Sequence, residues 1–321
     1  MRKLIDLIKK NSLAVVAIVL VLFPLMSPPD YQFYIVERSL QNAILVIGLV
    51  ILLGYTGPLS LGHAGLLATG AYTYGILATK AHWPLWLAFL AAPIVAGLVG
   101  VALGVPSLRL KGPFLMVVTI AFGEIVRIVA LNEERLTGGP YGLQGIPRVV
   151  QSELGLYYLM VAVTLAVAVA TLRLHRSRIG LALLSIKEDQ LVTGAMGVDV
   201  SKYKVLAFVL SAALAGLSGA FFASLTRYLN PDSFTILDSA TYLLMVVLGG
   251  MDSVVGAIIA SGIVTALPEF LRFIERARLL VYGIILLLVI WAPSTGVYRK
   301  LVSRFGHRPG TAAGLKLADR S

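Results

Sequence analysis

RLHRSRIGLALLSIKEDQLVTGAMGVDVSKYK, residues 173–204, is a polar interval set between two long apolar runs. Its ends are basic, with Arg173, Arg176 and Arg178 on one side and Lys202 and Lys204 on the other. Between them Ile179, Leu183 and Ile186 recur at helical spacing and share a face, which Lys187, Glu188 and Asp189 interrupt. The interval is too long for a turn, so it reads as a short helix carried in a loop. An amphipathic helix resting on lipid would need only the basic rim and the apolar face. Glu188 and Asp189 gain nothing from lipid, however, and the small residues Gly194, Ala195 and Gly197 allow close approach by another protein. The expectation is a docking helix from Ile179 to Gly197 in a cytoplasmic loop.

The flanks of this interval decide the fold class. Of 321 residues 58% are hydrophobic and 13% charged, and the apolar runs recur along almost the whole chain. Runs of about 20 such residues are what a hydrocarbon layer of about 30 Å requires of a helix. The reading is an all-α polytopic membrane protein of about ten spans (eight to ten), near residues 12–27, 39–54, 60–79, 84–104, 114–131, 155–173, 204–227, 238–251, 253–271 and 279–292. Residues 1–304 form one membrane domain, and 305–321 a basic tail without a core. Arg2 to Met26 has the basic start and apolar run of a signal peptide, but no small-residue cleavage site follows, so it is read as a retained first helix.

Charge sets the expected orientation. The net charge of +11 is spread over loops between spans and forms no single stripe, which argues against nucleic acid and for a bilayer partner. Arg2, Lys3, Lys9, Lys10, Arg109, Lys111, the 173–204 interval and the C-terminal tail fall on one side if both termini are cytoplasmic. The turn with Arg272, Arg276 and Arg278 runs against this scheme, and the span at 238–251 is short enough to be re-entrant or broken. The chain has no cysteine, which excludes disulfides and thiolate metal sites.

Within the spans, residues 59–79 hold Gly62, Gly65, Gly70 and Gly75 together with Ser60, His63, Thr69, Tyr72, Thr73 and Tyr74. Glycines let helix backbones approach in lipid, and Gly62, Gly65, Gly70, Gly100, Gly104 and Gly216 are read as packing positions. The polar members either bond between helices or line a pathway; Ser60, His63, Thr69 and Tyr72 are the pathway candidates. A lone histidine makes a metal site improbable. Glu124 and Arg127 stand three residues apart, on one helix face, and charge at that depth should face the protein interior and pair. Their role is open between a structural ion pair and the transport pathway. LTGGPYGLQGIP, residues 136–147, is a loop that could be a hinge or a rigid cap, and no phosphate-binding GxxxxGK[ST] motif occurs.

Five stretches carry a resemblance: GYTGPLSLGHAGLLATGAYTYGIL (54–77), LGVPSLRLKGPFLMVVTIAFGEIVRIV (103–129), LTGGPYGLQGIP, the segment RSRIGLALLSIKEDQLVTGAMGVDVSKYKVLAFVLSAALAGLSGAF (176–221), and PDSF with LLMVVLGGMDSVVGAIIAS (231–261). Together, over about three-quarters of the chain, they resemble the branched-chain amino acid permease family of ABC importers, in its M-type subunit. The resemblance implies a transport subunit that is no enzyme and holds no cofactor, with ATP and Mg in two cytoplasmic ATPase partners. It also implies a second, related permease, an extracytoplasmic amino-acid-binding protein, and a bacterial-type plasma (inner) membrane. It assigns the 173–204 interval to ATPase contact, matching at Glu188, Asp189, Ala195 and Gly197, with Ile179, Gly180, Leu183 and Ile186 in the same helix. Gln190 stands where the family often has an acidic residue. The nearest alternative is a urea or short-amide permease of the same type. An ion-coupled secondary transporter would favour more carboxylates within the spans than Glu124 alone.

Overall fold

The computed structural model describes residues 12–26, 29–107 and 113–270. The chain divides into two compact units, Met1–Glu269 and Phe270–Ser321, and the helical bundle is the first of them. The expected tenth span, the tail, its boundary at residue 304, and the basic residues at 2–10, 109 and 111 lie outside the described residues.

The order is α1 (Ser12–Leu22), continued by a 3-10 turn, α2 (Asp30–Leu49) with a π-helical turn at Val50–Gly54, α3 (His63–Thr79), α4 (Leu85–Ser107) and α5 (Pro113–Asn132). A one-turn helix α6 (Glu134–Thr137) and a two-residue strand β1 (Leu143–Gln144) precede α7 (Glu153–His175). Then come α8 (Arg178–Glu188), α9 (Gln190–Ala195), α10 (Val200–Thr226), β2 (Tyr228–Leu229), α11 (Ile236–Gly249) and α12 (Val254–Phe270). Among the described residues six segments are long and apolar enough to cross a membrane: Asp30–Gly54, Leu85–Val105, Phe114–Asn132, Glu153–His175, Val200–Thr226 and Pro231–Gly249. Two shorter apolar helices, Leu13–Leu25 and Val254–Pro268, accompany them. An all-α multi-pass membrane protein is the result.

α10 is the axis of this bundle, and α2, α3 and α4 pack against it. Lipid tails are as apolar as leucine, so burial alone does not hold such helices together; close backbone approach and interhelical hydrogen bonds do. Both occur along α10. A Cβ on Gly70 of α3 would fall 2.2 Å from the Gly216 carbonyl oxygen, and one on Gly100 of α4 would fall 2.5 Å from Ala212 Cβ. Gln41 Nε2 donates to Ser218 Oγ at 2.5 Å, and that hydroxyl donates back to the Gln41 carbonyl at 2.7 Å. His63 Nε2 lies 2.8 Å from Ser211 Oγ.

One expected boundary is corrected here. The second span begins at Asp30, nine residues before the expected 39, so Glu37, which falls ahead of the expected span, is a buried helix residue. Several polar side chains of this stretch find partners inside the bundle, although Asn42 Oδ1 is buried without a hydrogen-bond partner among the described residues. Arg38 Nη1 donates to Gln41 Oε1 at 2.9 Å and the guanidinium sits 4.2 Å from the Phe222 ring centroid. Asn42 Nδ2 donates to Thr265 Oγ1 of α12 at 2.9 Å.

At the end of the bundle where α10 finishes, the glycine-rich loop 136–147 forms a cap. β1 pairs antiparallel with β2, Leu143 opposite Leu229. Tyr74 Oη donates to the Pro147 carbonyl at 2.8 Å and the Val149 amide to Ser224 Oγ at 3.0 Å, which ties the cap to α3 and α10. Gly142 has φ +70 and a Cβ there would fall 2.4 Å from the Leu229 carbonyl oxygen, so only glycine fits.

Candidate functional site

Two surfaces stand out, one at each end of α10. At its start, residues 173–204 fold as two helices where one was expected. Asp189 is extended, with φ −153 and ψ 113, and its carboxylate accepts from the amides of Leu191 at 2.8 Å and Val192 at 3.0 Å. Aspartate is a preferred N-cap because this pairing satisfies amides that have no partner in the helix. It therefore ends α8 and starts α9. Gly197, with φ +84, turns the chain, and Asp199 caps α10 through the Lys202 amide at 3.0 Å.

The apolar face of α8 is a second correction. Gly180, Leu183 and Ile186 are buried within this chain, and a Cβ on Gly180 would fall 2.1 Å from the Leu174 carbonyl oxygen. That face meets the bundle, so it is not open to another protein. What points outward is α9: Leu191 is 86% and Met196 80% exposed, with Val192 beside them. Ile179, Glu188, Asp189, Ala195 and Gly197 are exposed as well.

The other surface lies on α5. Arg127 Nη2 meets Glu124 Oε1 at 2.6 Å, and Nη1 meets Asp232 Oδ1 at 2.8 Å, in the 3-10 turn Pro231–Ser233 just before α11. These side chains are 46% (Glu124), 26% (Arg127) and 65% (Asp232) exposed, so the expectation of an interior pair is corrected: within this chain they form an outward cluster. α5 packs on α3 at Gly123, one helical turn before Arg127, so Arg127 sits at the edge of the packed face and Glu124, further round the helix, is the more exposed of the two. Around α5 a crevice of about 480 Å³ opens between α3, α4 and α5, lined by Thr69, Tyr72, Val95, Val126 and Val129. The Tyr72 hydroxyl is buried and has no hydrogen-bond partner among the described residues. No group of three or more His, Cys, Asp or Glu side chains among the described residues could hold a metal ion.

The arrangement therefore combines a protruding polar segment with an apolar tip and an ionic cluster partway along a membrane-grade helix. A family model described as branched-chain amino acid transport system / permease component matches residues 32–290. The chain belongs to the branched-chain amino acid transport permease family.

Among members of this family, the high-affinity branched-chain amino acid transport system permease protein LivM of Salmonella typhimurium is 34% identical over 289 residues, covering 81% of this chain and 68% of that protein. Its counterpart in Escherichia coli is 35% identical over 280 residues, with 78% of this chain and 66% of the relative covered. A probable LivM of Methanocaldococcus jannaschii is 24% identical over 232 residues, 66% of this chain and 67% of the relative. The chain spans about two thirds of the length of these permeases. No solved structure matches it.

The expected site residues of this permease fall into separate places. Ser60 and His63 are buried, Ser60 Oγ 3.3 Å from His63 Nδ1, in the seam where α3 meets α10. Thr69 and Tyr72 line the crevice, the Thr69 hydroxyl donating to the Gly65 carbonyl at 2.8 Å. Gly62 lies against Thr119 of α5, and Gly104 against Phe208 of α10. Asp232, Leu191, Val192 and Met196 were not singled out from sequence. Asp232 lies 105 residues from its partner Arg127, a separation that leaves no local signal. The exposed trio on α9 had one, since its apolar residues cluster at the small-residue end of a polar loop.

Proposed function

We propose that this chain is the membrane subunit of an ATP-driven importer of branched-chain, aliphatic amino acids in a bacterial-type plasma membrane. ATP hydrolysis is assigned to two cytoplasmic partner ATPases, and capture of the amino acid to an extracytoplasmic binding protein. α9 and the α8–α9 junction are the coupling surface that an ATPase grips. The observation carrying this reading is the exposed tip of Leu191, Val192 and Met196 on a segment whose base is buried in its own bundle. A rigidly seated base with an apolar tip can both dock and push.

The pathway is assigned to the face of α5 that bears Glu124 and Arg127, with Asp232 beside it. Charged groups at this depth are costly against lipid, so the face belongs against a second permease or an aqueous passage. The crevice beside it, apolar apart from Thr69, Tyr72, Thr73 and the Glu133 and Thr137 at its rim, suits an aliphatic side chain.

Leucine uptake into vesicles containing this chain, its partner subunits and ATP tests the proposal, with urea as a parallel substrate. Wild type should accumulate leucine. Changing Glu188 and Asp189 together to Ala should abolish uptake while the complex still assembles. Uptake of urea alone, or leucine uptake by this chain without ATP, would overturn it.

A further inference from the structure

α11 is fastened at both ends by ion pairs, one to the ionic face of α5 and one to the base of the coupling segment. At its start Asp232, in the turn leading into the helix, meets Arg127 of the α5 cluster at 2.8 Å. At its finish Asp252, in the elbow between α11 and α12, meets Lys187 Nζ in the last turn of α8 at 2.9 Å. Nothing in the chemistry of a membrane span requires a charged tether at each end of the same helix.

The elbow that carries Asp252 is also stiff. A Cβ on Gly256 would fall 1.8 Å from the Gly249 carbonyl oxygen, so the two helices meet backbone to backbone at the bend. A Cβ on Gly54 would fall 2.0 Å from the Met251 carbonyl oxygen, so the elbow rests on the π-helical turn of α2. The Lys187 stem also lies near Gly57, in the segment just after that turn, its Cγ 3.7 Å from where a Cβ on Gly57 would stand. The His175 ring, at the end of α7, lies 5.0 Å from that of Tyr55. Four elements thus converge where the coupling segment is rooted. From this junction α11 runs directly to the Arg127 cluster.

We propose that α11 is a connecting rod, with Lys187 and Asp252 as its near joint and Asp232 and Arg127 as its far joint, and that it carries displacement of the α8–α9 segment to the ionic face of α5. The proposal rests on reading α8–α9 as the ATPase contact. Both joints are exposed ion pairs, 29% and 58% exposed at Lys187 and Asp252, and pairs of this kind add little to stability. Their value is directional: a charge pair at the end of a stiff helix transmits pull as well as push. Lys187 and Asp252 are therefore positioning residues for transport, acting through α11 on groups they do not touch.

The test uses the absence of native cysteine. A single Leu237→Cys, at a position 74% exposed on α11, reports movement of the rod through its rate of thiol labelling in vesicles containing the assembled complex. Labelling should change about tenfold between the ATP-free and ATP-trapped states, in the usual range of coupling between sites. Lys187→Gln should erase that change at equal complex assembly, and reversing the pair with Lys187→Asp and Asp252→Lys should restore it. Reversal separates the pair from either residue acting alone, and loss of the ATP response at equal complex assembly separates transmission from a structural role. In a second arm, Lys187→Cys and Asp252→Cys joined by a short bifunctional thiol reagent should leave leucine uptake intact, because the joint moves as one body. The rod is overturned by an ATP response that persists in Lys187→Gln, by an unrescued reversal, by no ATP response of Leu237→Cys, or by loss of uptake on cross-linking. A wild type that shows the labelling change yet takes up no branched-chain amino acid would instead overturn the substrate reading and leave the rod standing.

Discussion

The segment Asp30–Gly54 and the segment Phe114–Asn132 have similar apolar character, yet in the most apolar 18 residues of each, 78% of the first are buried within the chain and 17% of the second. Both carry polar and charged side chains. In α2 three of these turn into the bundle: Gln41 is bonded to Ser218, Asn42 to Thr265, and Arg38 is stacked over Phe222. In α5, Glu124 and Arg127 are paired but outward, with Asp232 reaching over from a different element. The difference separates two uses of polarity in lipid. Groups satisfied by their own bundle fix helix register, whereas groups left on an outer face require a second surface to cover them.

The contrast can be broken most severely on the buried side. Gly70→Leu places a branched side chain where even a Cβ would fall 2.2 Å from the Gly216 backbone, so folded protein should fall below detection on size-exclusion chromatography in detergent. Arg127→Gln should do the opposite, leaving thermal unfolding in detergent nearly unchanged while ATP-driven leucine uptake drops by about 10- to 100-fold, since an exposed pair contributes about 0–1 kcal/mol. An equal loss of folding and uptake would place this cluster with the structural groups of α2.

Smaller changes sharpen the comparison. Gln41→Leu leaves Ser218 without its donor inside the bundle and should destabilise by about 1–2 kcal/mol, read as a lower denaturation midpoint, with uptake per folded molecule retained. Asp189→Ala removes the cap of α9 at a cost of about 1 kcal/mol, confined to that helix. Faster amide exchange at Leu191 and Val192, with unchanged exchange in α10, is the expected signature.

How legible each region was follows from the same distinction. The apolar runs mark the described helices well because burial in lipid demands length and hydrophobicity. The start of α2 was hidden, since Glu37 and Arg38 look like loop residues until Glu37 is seen buried and Arg38 over Phe222 of α10. On α5 the three-residue spacing revealed that Glu124 and Arg127 share a face, but nothing local said whether that face turns in or out. For α8 the amphipathic pattern showed that Leu183 and Ile186 are covered, not by what; their own bundle takes them. The break at Asp189 was written in the residue type, an aspartate followed by amides it can cap.

The wide turn at Val50–Gly54 has a consequence for the phasing of α2. A π-helical turn holds one residue more than an α-turn, and each residue advances a helix by about 100°. Before the turn, one phase sets Gln41 on Ser218 and Gly48 against the Ser211 backbone. At its end another sets Gly54 against Met251 and Tyr55 beside His175. A single uninterrupted α-helix could satisfy one set or the other. The extra residue acts as a phase shifter, so deleting one residue there would leave α2 seated as far as Leu49 and swing its end, at Gly54 and Tyr55, about a quarter turn away from Met251 and His175.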